Sequence, residues 1–349
     1  LRPCLILIRQ GRFITPIAKK IQQMRKRKMT KVLVTEPVHE NGLTLLKENG
    51  FTLIPKWELS EAELASHYDS IEAIFVRIGT LTAEFMAKMP HLKVVSKHGV
   101  GCDTIDVAYA RANDITVAIA SDGNAPSVAE HTLMMMLNCA KTPHHMDSVV
   151  RGDYATRKSI KAFDIGARCV FVFGYGRIGA RVAALCQAFG MRVIIADEKF
   201  SPETKQQDGF EIIHNLDEGL SQADFLTLHV PLTDKTHHLF TKERLLKMPE
   251  GAFVINCARG GIVNEEAVRE LTKAGHLGGA GFDVFSVEPI VANNPLLEAE
   301  RCWLSPHTAA FTAESLERMS TQAAQNIVDR FAGGVPTRNI YALEVYSPD

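Results

Sequence analysis

No apolar stretch in the 349-residue chain approaches the roughly 20 residues needed to cross a bilayer, which excludes a membrane-spanning helix. The chain also lacks a Cys-x-x-Cys pair or any clustered Cys/His pattern, so it offers neither a metal site nor a disulfide framework. Its seven cysteines (Cys4, Cys102, Cys139, Cys169, Cys186, Cys257 and Cys302) are odd in number and widely scattered. Several sit in apolar segments, where a thiol behaves as a small hydrophobe, and this usage fits a reducing cytoplasm. Internal repeats and low-complexity linkers are absent too. Net charge is almost nil at −1, yet unevenly spread. Residues 1–28 hold nine of the 39 basic residues and no acid, which leaves 30 bases against 40 acids, a net of −10, for the remainder. Nucleic-acid binding by that acidic body is not expected. The basic head has the composition of a mitochondrial presequence. However, it starts with Leu1, and Met29-Thr-Lys-Val-Leu-Val opens directly on a strand, so 1–28 reads as an appended or misassigned segment, expected to be disordered.

What the chain does contain is ordinary for a globular protein, 46% apolar and 23% charged, and long enough for two domains with substantial cores. Its most informative stretch is Gly174-Tyr-Gly-Arg-Ile-Gly179. A short apolar strand, Cys169–Phe173, precedes it. A helix-periodic segment, Arg177 to Phe189, follows, and a second strand, Met191–Ala196, leads into Asp197. Strand, glycine turn, helix, strand and acid stand at the spacing of a dinucleotide-binding βαβ unit, with the acid roughly 20 residues on. Gly174 permits the turn, Gly176 admits a pyrophosphate and Gly179 lets helix and strand pack closely, while N–H groups at the helix start attract the diphosphate. Arg177 and Ile178 complete the turn. Asp197 would accept from a ribose 2′-OH and repel a 2′-phosphate, so the expected cofactor is NAD.

Strands and helices alternate along the rest of the chain. Strands are expected at Lys31–Thr35, Ala73–Arg77, Lys93–Ser96, Glu211–Ile213, Phe225–His229, Phe253–Asn256, Gly279–Asp283 and Cys302–Leu304. Helices are expected at Gly42–Asn49, Ala83–Met89 and Thr312–Phe331. Ser127–Lys141 reads as a helix apolar nearly all round, buried between domains or subunits. The expected fold class is α/β, with two doubly wound parallel-sheet (Rossmann-like) lobes and a cleft between them. Residues 29–127 with 313–349 would form a substrate-binding domain and 128–312 an NAD-binding domain, the boundary being crossed by helices.

Ligands of open α/β sheets bind beyond the carboxyl ends of strands. Three polar residues follow strands there: Arg259 in Asn256-Cys-Ala-Arg-Gly-Gly-Ile-Val-Asn-Glu265, Glu288 in Gly281-Phe-Asp-Val-Phe-Ser-Val-Glu-Pro289, and His307 in Leu304-Ser-Pro-His-Thr-Ala-Ala310. Singly, each has a plain structural reading: a solvated carboxylate, a loop histidine, an arginine paired with Glu265 or Glu266. With the fingerprint, and with Val76-Arg-Ile-Gly-Thr80, His98-Gly-Val-Gly-Cys-Asp-Thr-Ile-Asp106 and Asn124-Ala-Pro-Ser-Val-Ala-Glu-His131, this series resembles the D-isomer-specific 2-hydroxyacid dehydrogenases. The resemblance runs from Met29 to about Gly334.

The resemblance implies that His307 exchanges a proton with the substrate oxygen, that Glu288 orients and charges the imidazole, and that Arg259 grips the substrate carboxylate. It implies cofactor contacts from Asp283, on the nicotinamide carboxamide, and from Val230, Pro231, Cys257 and Ala258. Backbone N–H groups at Gly79 and at Gly99, Val100 and Gly101 would hold the carboxylate. Arg77 and Lys97 match positions that face a phosphate in phosphoglycerate dehydrogenases, or are surface charges. His131 reads as structural. Asn264 stands where the family often has Asp, and Thr308-Ala-Ala310 replaces a more glycine-rich run. Formate dehydrogenases of this fold typically carry Gln at the position of Glu288. The sequence stops at Asp349, short of the regulatory domain of longer phosphoglycerate dehydrogenases, so glyoxylate or hydroxypyruvate reduction is expected alongside 3-phosphoglycerate oxidation. The alternative is an NAD-sensing corepressor-type binding protein on the same fold. A homodimer is expected from the family habit.

Overall fold

The computed structural model describes residues 30–341, so the basic head at 1–28 lies outside the described residues. These residues form two compact units, 30–119 with 320–341, and 120–319. The first is built from β1 (Lys31–Val34), α1 (Glu40–Glu48), β2 (Thr52–Pro55), α2 (Glu61–Ala65), β3 (Ile71–Val76), α3 (Ala83–Ala87), β4 (Val94–Lys97), α4 (Val107–Ala112) and β5 (Thr116–Ile119). Its sheet is entirely parallel, in the order β2-β1-β3-β4-β5. Every residue of β4 is buried, as expected where helices cover both faces of a parallel sheet. The edge strand β2 was not evident in the sequence, because it is only four residues long and ends on Pro55.

The second unit contains α5 (Ala125–Lys141), α6 (Pro143–Arg151), β6 (Cys169–Phe173), α7 (Arg177–Ala188), β7 (Arg192–Ala196), β8 (Gln206–Gln207), β9 (Phe210–Ile212), α8 (Leu216–Gln222), β10 (Phe225–Leu228), α9 (Lys242–Leu245), β11 (Ala252–Asn256), α10 (Glu265–Lys273), β12 (Leu277–Phe282) and β13 (Cys302–Leu304). A last helix, α11 (Ala313–Ala332), begins in this unit and ends in the first. There, Ala323, Ala324 and Ile327 pack with Val32, Val34 and Phe75, and Asn326 Nδ2 donates to the Ile119 carbonyl at 3.0 Å.

The second sheet runs β13-β12-β11-β10-β6-β7-β9-β8, parallel except for the short β8–β9 pair. Strand order reverses between β6 and β10, so the turn after β6 opens at a topological switch point, where α/β sheets bind ligands. The apolar helix α5 packs against α7, β11 and β12. It is thus buried on the sheet of its own unit and need not lie between domains. Met135 and Met136 are core residues there, whereas Met134 is 41% exposed. A Cβ at Gly281 would lie 3.0 Å from that of Met135, so glycine in β12 lets helix and sheet approach closely. No helix among the described residues is long and apolar enough to cross a membrane.

Candidate active site

The turn after β6 is shaped by its glycines. Gly174 has φ +98°, and a Cβ there would stand 2.5 Å from the His229 carbonyl. A Cβ on Gly179 would stand 1.9 Å from the Gly174 carbonyl, a clash that excludes every other residue. Around Gly176, by contrast, the space is open, and α7 starts at Arg177 with no side-chain cap on its N-terminus. An uncapped helix start behind an open glycine is a fitting seat for a diphosphate. Ile178 packs against the core, and Arg177 Nε lies 3.3 Å from Asp122 Oδ1. Val230 lines the same turn, and the Pro231 carbonyl accepts from Thr236 Oγ1 at 2.7 Å.

Asp197, at the end of β7, accepts from Tyr175 N at 2.7 Å and from Lys199 N at 3.0 Å. One carboxylate therefore ties the glycine turn to the strand end, at the position the βαβ spacing gives to a ribose contact. Asp197→Ala is expected to loosen the turn and weaken both dinucleotides, but NADH more than NADPH. The ratio of dissociation constants from fluorescence titration checks this, and an unchanged ratio would assign ribose discrimination to another residue.

The acid–base candidates meet at the opposite side of the sheet centre. His307 and Glu288 lie 19 residues apart, and His307 Nδ1 is 2.7 Å from Glu288 Oε2. The other carboxylate oxygen, Oε1, accepts from Phe285 N at 3.0 Å, fixing its rotamer. His307 has φ +54°, in the left-handed region, and its N–H donates to the Asp283 carbonyl at 2.7 Å. The hydrogen bond to Glu288 raises the imidazole pKa; burial opposes this, the Glu288 charge adds to it, Arg259 lowers it and Asp283 raises it. Burial pushes the Glu288 carboxyl up, but His307, the Phe285 N–H and the Arg259 charge together bring it below the ordinary value. With Nδ1 given to Glu288, Nε2 is the nitrogen available for exchange with a substrate.

The Arg259 loop follows β11. Asn256 holds it at two points, donating through Nδ2 to the Arg259 carbonyl at 2.8 Å and accepting from Ala258 N at 3.0 Å. Arg259 itself donates to the Ala258 carbonyl at 2.7 Å. Of the two acids considered as its partners, Glu266 pairs with Arg269 and Glu265 accepts from Ser286 and Asn294. Burial pushes the Cys257 thiol up to about 12, so Cys257 lines the loop as an unreactive hydrophobe. Asn264, where Asp is frequent, caps α10 by accepting from Ala267 N at 2.9 Å, a task either residue performs.

Asp283 is fully buried. It accepts from Ser305 Oγ at 2.5 Å, Thr308 N at 2.8 Å and Ala309 N at 2.9 Å. It thereby ties the end of β12 to the segment around His307. His131 Nε2 lies 2.9 Å from Ser305 Oγ and joins this network. Thr308-Ala-Ala310 supplies two of the backbone donors, which need no glycine.

The first unit holds a surprise at its strand ends. The Gly79 N–H, which the resemblance gives to a substrate carboxylate, donates instead to Glu36 Oε1 at 2.7 Å. Glu36 Oε2 accepts from Arg77 N at 2.9 Å and Ile78 N at 3.3 Å. The protein's own carboxylate thus takes that turn, and a Cβ on Gly79 would lie 2.5 Å from it. Burial raises the Glu36 carboxyl, but the Thr35 hydroxyl and these three N–H groups outweigh it and lower its pKa. Arg77 donates through Nη1 to the Pro37 carbonyl at 3.2 Å, and Lys97 is buried as the last residue of β4. Gly99 has φ +137°, and Val100 and Gly101 complete its turn. Among the described residues no group of three or more His, Cys, Asp or Glu could hold a metal ion.

The chain is similar in sequence and in fold to known proteins. The family model of the D-isomer specific 2-hydroxyacid dehydrogenase NAD binding domain matches residues 133–309. A D-3-phosphoglycerate dehydrogenase of Methanocaldococcus jannaschii is 37% identical over 301 residues, 86% of this chain and 57% of that protein. The chain thus spans a little over half the length of that relative. A crystal structure of a Thermus thermophilus protein superposes with a TM-score of 0.78 at 30% identity, covering 90% of this chain and 100% of that one. The NAD-dependent formate dehydrogenase of Staphylococcus aureus, solved with NAD, gives a TM-score of 0.75 at 27% identity, covering 90% and 99%.

Proposed function

The chain belongs to the D-isomer-specific 2-hydroxyacid dehydrogenase family, and from that premise we propose that it is an NAD-dependent dehydrogenase interconverting a small D-2-hydroxy acid and its 2-oxo acid. The observation that carries this reading is the His307–Glu288 pair, 2.7 Å apart, with Arg259 close enough to act on the charge of both. In the reducing direction protonated His307 gives its Nε2 proton to the carbonyl oxygen, and Glu288 holds the ring and balances its charge. Arg259 presents a planar fork to the carboxylate and polarises the carbonyl. Bound NADH would supply the hydride, seated through its diphosphate at Gly174, Gly176 and Gly179 and through its ribose at Asp197. An acid bearing a second anionic group is the first candidate substrate, in keeping with the D-3-phosphoglycerate dehydrogenase of Methanocaldococcus jannaschii.

The test is NADH oxidation with glyoxylate, hydroxypyruvate, pyruvate and phosphohydroxypyruvate, followed across pH. At least one acid is expected to turn over. The raised pKa of His307 keeps the acid form to higher pH than an ordinary histidine. Reduction should therefore be full below that pKa and fall as pH rises through it, while oxidation of the hydroxy acid should rise over the same interval. Glu288→Gln removes the leading cause of the shift, so the reduction limb should move to lower pH. NADH binding without turnover of any acid would refute the proposal and favour a cofactor-sensing role.

A further inference from the structure

Glu265 is a carboxylate that the reaction does not use, and it is buried at the first position of α10. Its Oε1 accepts from Ser286 N at 2.6 Å and Ser286 Oγ at 2.8 Å, and its Oε2 accepts from Asn294 Nδ2 at 2.7 Å. Burying a carboxylate is costly unless hydrogen bonds satisfy it, and three donors from one loop do so here. That loop joins β12 to β13 and carries Glu288 two residues beyond Ser286. Asn294 in turn accepts from Leu296 N at 2.9 Å, so the far end of the loop hangs on the same acid. From the other side Gly260, next to Arg259, lies against it: a Cβ there would stand 1.9 Å from the Phe285 carbonyl. The Phe285 N–H is the group that fixes Glu288 Oε1.

We propose that Glu265 is a positioning residue for the acid–base pair: by fixing Ser286 it sets the segment from which Glu288 grips His307. The proposal rests on the acid–base reading of His307. It explains why an acid buried against Ser286 and Asn294 stands at this helix start, where a solvated Glu would serve the helix equally well. The charged groups facing His307 are Glu288, Arg259 and Asp283, and Glu288 lies on the loop that Glu265 holds at Ser286.

The experiment compares Glu265→Ala, Glu265→Gln and Ser286→Ala with the unaltered protein, reading the His307 pKa by NMR of histidine-labelled protein, with His307→Asn for assignment. Glu265→Ala should lower the His307 pKa in the direction of Glu288→Gln and cut kcat about tenfold to a hundredfold, with KM for NADH unchanged. Glu265→Gln keeps an acceptor for Ser286 and should restore most of both. A His307 pKa unmoved in folded Glu265→Ala overturns the proposal, as does a loss in KM for NADH without change in pKa. If Glu265→Ala does not fold, Ser286→Ala decides: a lowered His307 pKa supports the proposal and an unchanged one overturns it. The NMR reading does not depend on turnover. An inactive unaltered protein whose His307 pKa still follows Glu265 would refute the dehydrogenase reading and leave the positioning role standing.

Discussion

His307→Ala is expected to lower kcat for oxo-acid reduction by about 10²–10⁴ while leaving NADH affinity essentially unchanged. In the proposed reaction the proton that joins the carbonyl oxygen comes from the imidazole whose Nδ1 sits 2.7 Å from Glu288 Oε2. The diphosphate seat is built from other residues on the far side of β10 and β11, so binding should survive. One complication is conformational. His307 has φ +54°, a left-handed backbone that strains Ala as it strains His. Asn tolerates that region better, so His307→Asn removes the acid with less disturbance of the turn. Both variants should show the same loss in steady-state kcat, with NADH titrated by fluorescence. Turnover retained in the Asn variant would remove His307 from the mechanism, and loss in Ala alone would point to strain.

Much of this was legible in the sequence for a physical reason. A parallel sheet covered on both faces demands short runs of apolar residues, and β6, β10 and β11 show them: Cys169–Phe173, Phe225–Leu228 and Ala252–Asn256. The glycine turn was legible because its spacing reflects contacts within one βαβ unit. The edge strands β2 and β8, four and two residues long, carry too little pattern to register. Glu36 and Glu265 were hidden for a different reason. Each carboxylate is satisfied by donors far along the chain, Gly79 lying 43 residues from Glu36 and Asn294 lying 29 from Glu265. No local periodicity encodes such a pairing. The only sequence signal is an acid at a strand end or helix start, which a solvated side chain or helix-dipole partner would give equally. Gly79 shows the consequence: its N–H looks available for a substrate until the fold brings Glu36 to it.

Arg259→Ala should reduce kcat/KM for the oxo acid by about two to three orders of magnitude, acting on both kcat and KM, because a carboxylate contact made in the ground state persists into the transition state. Lysine should not rescue it, since a point charge cannot reproduce the planar fork. A second effect separates this variant from a merely loosened loop. The Arg259 charge lowers the His307 pKa, opposing Glu288, and it also lowers that of Glu288. Removing the guanidinium should therefore let the His307 pKa rise further, moving the alkaline limb of reduction to higher pH. Glu288→Gln moves the same limb the other way. Opposite displacements from two neighbouring substitutions require both groups to act on one imidazole, whereas general disorder of the site would blunt the His307–Glu288 contact in each variant and move both limbs down. An Arg259→Ala enzyme with unaltered KM and an unmoved limb would place the substrate carboxylate elsewhere.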